Sequence, residues 1–281
     1  MSYLQYWKLG YAPFSSNSAF FTGGSVEEAI ARVCFLVKSQ RRMGVLVGPS
    51  SVGKTLLLKH LRKPIATAAA VNRPKIVYQS LLGLNPSEFF ASLSRTIGEG
   101  LTSNAHANGS EDHREKSAWN QLKDALVAAT AFSTQVVLLL DDISFAKEPM
   151  LGGIHQIMEA SQTVTCVLGV CSESVDELPL NLRERCQLRV DLPAWDLGQT
   201  ADYFDFVLSK AKGRPGIFEA QAITRIHELS DGLPQRLNRL AELALVAGAS
   251  KRIPRITSEL ADQVFDEFSL IPAAYAESSA R

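Results

Sequence analysis

The chain is poor in the features that mark secreted, membrane-spanning and polycationic proteins. Its four cysteines, Cys34, Cys166, Cys171 and Cys186, form no Cys-x-x-Cys pair among 281 residues. Cys166 and Cys171 sit in an apolar run that reads as buried. A reduced, cytoplasmic protein is the expected setting. The longest aliphatic runs, such as Val136–Leu140, fall far short of the ~18 residues of a membrane span. The first residues, MSYLQYWKLGYAPF, lack the charged-then-apolar order of a signal peptide. Neither sign of charge is in excess, with 29 Lys and Arg against 29 Asp and Glu. That balance excludes a histone-like, broadly basic nucleic-acid binder and leaves only a local basic stripe open. Internal repeats and low-complexity segments are absent. What is present is ordinary: 46% hydrophobic and 21% charged residues, enough to build a sizeable core and to exclude wholesale disorder. The length suits one large domain, or a core with a smaller satellite.

Aromatic residues crowd the first 24 positions (Tyr3, Tyr6, Trp7, Tyr11, Phe14, Phe20, Phe21). Such rings are costly to leave in water, so this irregular arm is expected to pack on the body. Ser25 followed by Glu28 reads as a capping box, opening a helix with Val26, Ile30, Val33 and Val37 on one face. Met43–Val47 reads as a buried strand, then a loop and a helix to about Arg62. Strands are expected at Lys75–Gln79, Gln135–Asp141, Thr163–Val170 and Gln187–Asp191. Helices are expected at Pro86–Gly100, Trp119–Ala131 and Glu148–Ser161. Thr102–Lys116 is polar and reads as a mobile loop. Aliphatic strands alternating with helices predict a parallel sheet covered on both faces, an αβα core. After Pro193 the pattern is helical only: Thr200–Lys210, Glu219–Ser230, Pro234–Ala249 and Thr257–Phe268. The expected organisation is an arm at 1–24, an α/β core at 25–193, a small all-helical domain at 194–270 and a frayed tail from 271.

Gly48-Pro49-Ser50-Ser51-Val52-Gly53-Lys54-Thr55 fits G-x-x-x-x-G-K-[ST] at every position. A polyphosphate needs several N–H donors converging on it, and only a glycine-containing loop curls that tightly. Lys54 brings a mobile positive charge for the outer phosphates, and Thr55 a hydroxyl for Mg²⁺. The helix that follows aims its positive end at the anion. The expected nucleotide-binding residues are Gly48, Pro49, Ser50, Ser51, Val52, Gly53, Lys54, Thr55 and Leu56, with ATP and Mg²⁺ as the ligands. The second half of the site is Val136–Asp142, a strand that delivers two acids to the sheet edge. Asp141 is assigned to Mg²⁺ and Asp142 to polarising the attacking water.

Arginine suits a transition state whose charge is spread over phosphate oxygens. Arg183 or Arg185, in Leu182-Arg-Glu-Arg185, is a candidate to reach a neighbouring subunit's nucleotide; a solvated helix end is the competing reading. Arg236 follows Pro234 at the start of a helix. An arginine favours the opposite end, so its placement points to an anionic partner. Ser172, beyond the Thr163–Val170 strand, is the polar candidate for contact with water or the γ-phosphate.

These motifs together resemble the AAA+ ATPases of the general secretion pathway protein A, or ExeA-like, type, which are related to MshM and to the transposition regulators TniB and TnsC. The resemblance rests on Tyr11-Ala-Pro-Phe14, the helix before Gly48–Thr55, the Val136–Asp142 strand, Leu182–Arg185 and Gly232-Leu-Pro-Gln-Arg-Leu-Asn-Arg-Leu240. It implies a P-loop core with a helical lid and a homo-oligomer with ATP at the subunit interfaces. A protein partner in a secretion or type IV pilus-like system is implied too. The alternatives are a DNA-associated regulator of the transposition type and a slow nucleotide-switch scaffold. The family's pattern makes Arg183 or Arg185 the finger and Arg236 the second sensor. Three positions depart from it. Asp142 stands where a glutamate is usual, Gln235 where an arginine is common, and Val170 where a polar residue is common; the shorter acid implies slow hydrolysis. The secretion relatives often continue into a membrane span and a periplasmic part, and this sequence stops before either, so the resemblance leads to the expectation that an envelope role would need a partner.

Overall fold

The computed structural model describes residues 2–15, 19–68, 73–99, 117–146 and 148–268. Both the Thr102–Lys116 segment and the tail from 271 lie outside the described residues. In chain order the elements are α1 (Tyr3–Trp7), α2 (Ser25–Lys38), β1 (Met43–Gly48), α3 (Lys54–His60), α4 (Arg62–Ala68), β2 (Lys75–Ser80), α5 (Pro86–Gly98), α6 (Ala118–Ala131) and β3 (Val136–Asp141). They continue with α7 (Glu148–Ala160), β4 (Val164–Cys171), α8 (Leu180–Arg183), β5 (Leu188–Asp191), α9 (Leu197–Lys210), α10 (Ala220–Leu229), α11 (Pro234–Ser250) and α12 (Ser258–Phe268). Contacts divide the chain into two compact units, one of residues 25–192 and one of residues 1–24 with 193–281.

The first unit is built on a five-stranded parallel sheet in the order β2-β3-β4-β1-β5. The three inner strands are almost wholly aliphatic and buried along their length, because helices cover both faces. One set of alternating positions, including Val45, Val47, Leu138, Leu140 and Leu168, joins a core with Phe89, Leu93, Leu126, Ile154 and Ile157 of α5, α6 and α7. The other set faces the layer formed by α2, α3 and α4. The edge strands are less buried.

One local expectation fails here, and one helix goes beyond the sequence pattern. Ser25 lies inside α2 and its buried hydroxyl has no hydrogen-bond partner, while Glu28 pairs with Arg32 one turn on. The capping box is therefore not formed. The helix after the glycine loop ends at His60, close to the expected Arg62, and a second helix, α4, follows it from Arg62. Pro64 explains the break between them, since it has no N–H for the His60 carbonyl and its ring crowds that oxygen.

Among its described residues the second unit is helical, with a single isolated bridge between Phe218 and Ile256. The N-terminal arm is not irregular throughout: Ser2 and Gln5 form a capping box that starts α1. Trp7 is fully buried and its indole N–H donates to the Leu245 carbonyl of α11 at 2.8 Å. Phe14 packs against Tyr203, Phe204 and Phe218. Helix α9 starts at Leu197, earlier than its apolar pattern suggests, because Asp196 and Gln199 cap it reciprocally. Among the described residues no helix is long and apolar enough to cross a membrane.

Candidate functional site

The loop Gly48–Thr55 joins the C-terminal end of β1 to α3. Its glycines are required for different reasons. A Cβ on Gly48 would stand 2.6 Å from the Leu192 carbonyl oxygen and 2.9 Å from Val52 Cγ1. A Cβ on Gly53 would meet nothing, but its φ of +105° is a conformation that L side chains rarely adopt. Ser51 is also left-handed, at φ +69°. No side chain caps the start of α3 and no acid lies in its first turn, so its leading N–H groups are left for an anion.

Lys54 is buried at 9% exposure, and its ammonium donates to the carbonyls of Gly48 and Pro49, each at 2.8 Å. An ammonium has three donors, so one is uncommitted. Thr55 and Leu56 are exposed.

Strand β3 ends in the two acids. Asp141 is 2% exposed. Its Oδ2 accepts from the Tyr78 hydroxyl at 2.9 Å, and its Oδ1 from the Asp142 N–H at 3.0 Å. Gly169 of β4 leaves room for it, since a Cβ there would lie 3.1 Å from Oδ1 and 2.8 Å from Leu58 of α3. Asp142 has φ +59°, which aspartate tolerates better than most residues. Its Oδ2 accepts from Ser80 Oγ at 2.5 Å. Burial first, then the charges of Asp141 and Asp142, push the Tyr78 hydroxyl well above the ordinary tyrosine range. It therefore remains a neutral donor. Lys59 of α3 lies over the Tyr78 ring, 5.3 Å from its centroid.

Register brings these parts to one sheet edge. Gly48 of β1 is level with Cys171 of β4, and Leu140 of β3 with Leu168. The glycine loop and the acid pair thus flank β4 at its C-terminal end. Val170 is fully buried, Cys171 is partly exposed and level with the loop, and Ser172 lies one residue beyond, exposed.

The arginines are partnered. Arg183 lies 3.6 Å from Asp176, and Arg185 forms an ion pair with Glu159 at the end of α7. Arg236, in the first turn of α11, pairs at 2.7 Å with Asp231, so the anion near it here is a side chain of its own unit. All three pairs are solvent-exposed, where such contacts are weak and readily exchanged.

Tyr78, Ser80 and Cys171 escaped the sequence reading. Tyr78 and Ser80 share one face of an edge strand at a spacing of two, which was the available signal.

Among the described residues no cluster of three or more His, Cys, Asp and Glu is arranged to hold a metal by itself. Mg²⁺ at a phosphate loop needs no such cluster, because phosphate and water supply most of its ligands. The Thr55 hydroxyl and the Asp141 carboxylate fit that requirement. A glycine-lined cradle, a lysine with a spare N–H, an uncapped helix start and a buried carboxylate suit Mg²⁺-polyphosphate chemistry.

Comparison with known proteins agrees with that chemistry. The AAA domain family model matches residues 37–178. No curated protein matches the sequence. Solved structures share the fold at low identity. The ADP form of the Aeropyrum pernix ORC2 protein has 14% identity and a TM-score of 0.65, covering 91% of this chain and 72% of that one. The Aeropyrum pernix ORC1 protein, solved in complex with DNA, has 15% identity and a TM-score of 0.69, covering 91% and 68%. The Thermotoga maritima RuvB Holliday junction branch migration motor has 18% identity and a TM-score of 0.56, covering 86% and 67%. The architecture is the P-loop AAA+ fold with a C-terminal helical region, and with half of its length matched by the family model the chain belongs to the AAA domain family.

Proposed function

We propose that this protein binds Mg-ATP at Gly48–Leu56 and hydrolyses it, using ATP binding to drive self-assembly. The observation that carries this reading is the common sheet edge shared by the glycine loop, with Lys54 inside it, and the pinned carboxylate of Asp141. Backbone N–H groups and Lys54 hold the β- and γ-phosphates. Thr55 and Asp141 hold the metal, which neutralises developing phosphate charge when bound. Asp142, kept in place by Ser80, orients the attacking water and takes its proton. Its side chain is one methylene shorter than glutamate, which favours slow turnover. Arg185 or Arg183 would act on the nucleotide of a neighbouring copy once its exposed ion pair exchanges. Arg236, the second-sensor candidate, would contact the γ-phosphate of ATP once it leaves Asp231. The ExeA-like motifs support a role in a secretion or type IV pilus-like system, in the cytoplasm, where four free thiols are stable.

The direct test is Lys54→Ala. Mg-ATP at about 100 times its Kd should stabilise the wild type by about 2.7 kcal/mol, and the variant should show no shift in thermal melting. An undiminished shift would refute the site. A second reading, a DNA-associated ATP switch of the transposition type, gains support from the charge distribution described next. The DNA complex and the branch migration motor among the structural neighbours are consistent with it.

A further inference from the structure

The zero net charge conceals a strong segregation. Residues 29–87 contain ten Lys and Arg, one His and no Asp or Glu; the remaining nineteen cations face all 29 acids. Residues 29–87 therefore carry a formal charge of +10 and the rest of the chain −10; counting Glu27 and Glu28 in the first turn of α2, the stretch from α2 through β2 carries +8, ten cations against two acids.

Much of this charge has no counter-ion. Lys54 is turned into the phosphate loop, Arg32 pairs with Glu28, and Arg42 is spent on the carbonyls of Met158 and Ser161 and on Gln162. Lys38, Arg41, Arg62, Lys63 and Arg73 are exposed, and none has an ion pair with an acid among the described residues. Helix dipoles do not explain the arrangement. Lys38 ends α2, where a cation is favoured, but Arg62 and Lys63 open α4, where it is not, and α4 has no acid in its first turn. Burial first, and then the neighbouring Lys63 charge, hold the His60 imidazole below its usual range.

We propose that the α2–α4 layer, through Lys38, Arg41, Arg62 and Lys63, binds the phosphate backbone of duplex DNA without reading its sequence. Dispersed cations on a rigid helical layer match a regular array of phosphates, and each neutralised phosphate releases condensed counterions. Single-strand binding uses rows of aromatic platforms. The one strongly exposed aromatic of residues 29–87 is Phe35, already covered by Arg41 at 5.9 Å. Insertion into a membrane surface needs large apolar side chains beside the cations. Ile65, the one large apolar side chain of α4, is fully buried, and the exposed large apolar side chains of the layer among the described residues are two, Phe35 beside Arg41 and Leu56 beside the glycine loop. The inference stands on charge and exposure and does not depend on the ATPase reading.

The test is fluorescence anisotropy with a short labelled duplex, in low salt and without nucleotide, followed by a salt series. Two independent double variants, Lys38→Ala/Arg41→Ala and Arg62→Ala/Lys63→Ala, should each weaken binding about tenfold and lower the log–log salt slope by about 2. Lys212→Gln/Lys251→Gln, in the helical unit, should bind as the wild type does. Lys54→Ala should also bind as the wild type, so failure of the nucleotide site and failure of this surface are separable. Unchanged melting temperatures confirm that the variants fold. The proposal is overturned by no binding of the wild type in low salt, by undiminished binding in both double variants, or by binding to phosphatidylserine vesicles in place of the duplex.

Discussion

Tyr78 shows how one hydroxyl conditions the acid proposed to hold Mg²⁺. It donates to Asp141 Oδ2 at 2.9 Å, while the Asp142 N–H holds Oδ1. Hydrogen bonds to a charged group contribute about 1.5–3 kcal/mol, and orienting partners of this kind set how well a ligand presents itself. Tyr78→Phe keeps the ring under Lys59 and removes only the hydroxyl. Phosphate release by the variant should need several-fold more Mg²⁺ for half-maximal rate, while ATP binding in EDTA is unchanged. An unaltered Mg²⁺ dependence would show that Asp141 is positioned without it. Because the Tyr78 hydroxyl titrates above the ordinary tyrosine range, this contact stays intact throughout neutral and mildly alkaline pH. Cys166 behaves as core: burial pushes its thiol up to about 12, so it has almost no thiolate at neutral pH.

Among the elements, α1 shows most clearly how a short segment is held by tertiary contacts. Five residues are far too few for a stable isolated helix. Its Ser2/Gln5 cap and the burial of Trp7 against α11 supply what length does not. Trp7→Ala should destabilise the helical unit by about 3–5 kcal/mol, read as a lower urea midpoint with the slope unchanged. A loss below ~1 kcal/mol would mean that the arm adds little to that core. The interruption between α3 and α4 has the opposite character: Pro64 makes it locally, and it lets Arg62 and Lys63 open a new helix.

At the scale of the molecule, the question is whether a second copy completes the proposed nucleotide site. Arg183 and Arg185 sit on the first unit in exposed ion pairs, and guanidinium groups in such pairs exchange at little cost. Mixing Lys54→Ala with Arg185→Ala should restore phosphate release that neither protein shows alone, because one protomer keeps the phosphate loop and the other the arginine. The same mixture with Arg183→Ala tells the two arginines apart. If no mixture regains activity, the arginines do not act between subunits. Charge belongs to this scale as well, since a formal sum of zero hides a stretch of ten cations without an acid at residues 29–87.

Local chemistry made much of this protein legible. Gly48 and Gly53 mark a loop whose backbone only glycine allows, and aliphatic β1, β3 and β4 announce a sheet buried on both faces, because those requirements are met within a few residues. The acid-free run of residues 29–87 is likewise written in the order of the chain. The hydroxyl contacts of Tyr78 and Ser80, the unused cap at Ser25, the level placement of Cys171 beside Gly48, and the exposure of Arg62 and Lys63 on one layer were decided by tertiary structure. Each depends on strand order, register and packing between segments tens of residues apart, and side-chain partners at that distance have no periodicity in the sequence to reveal them.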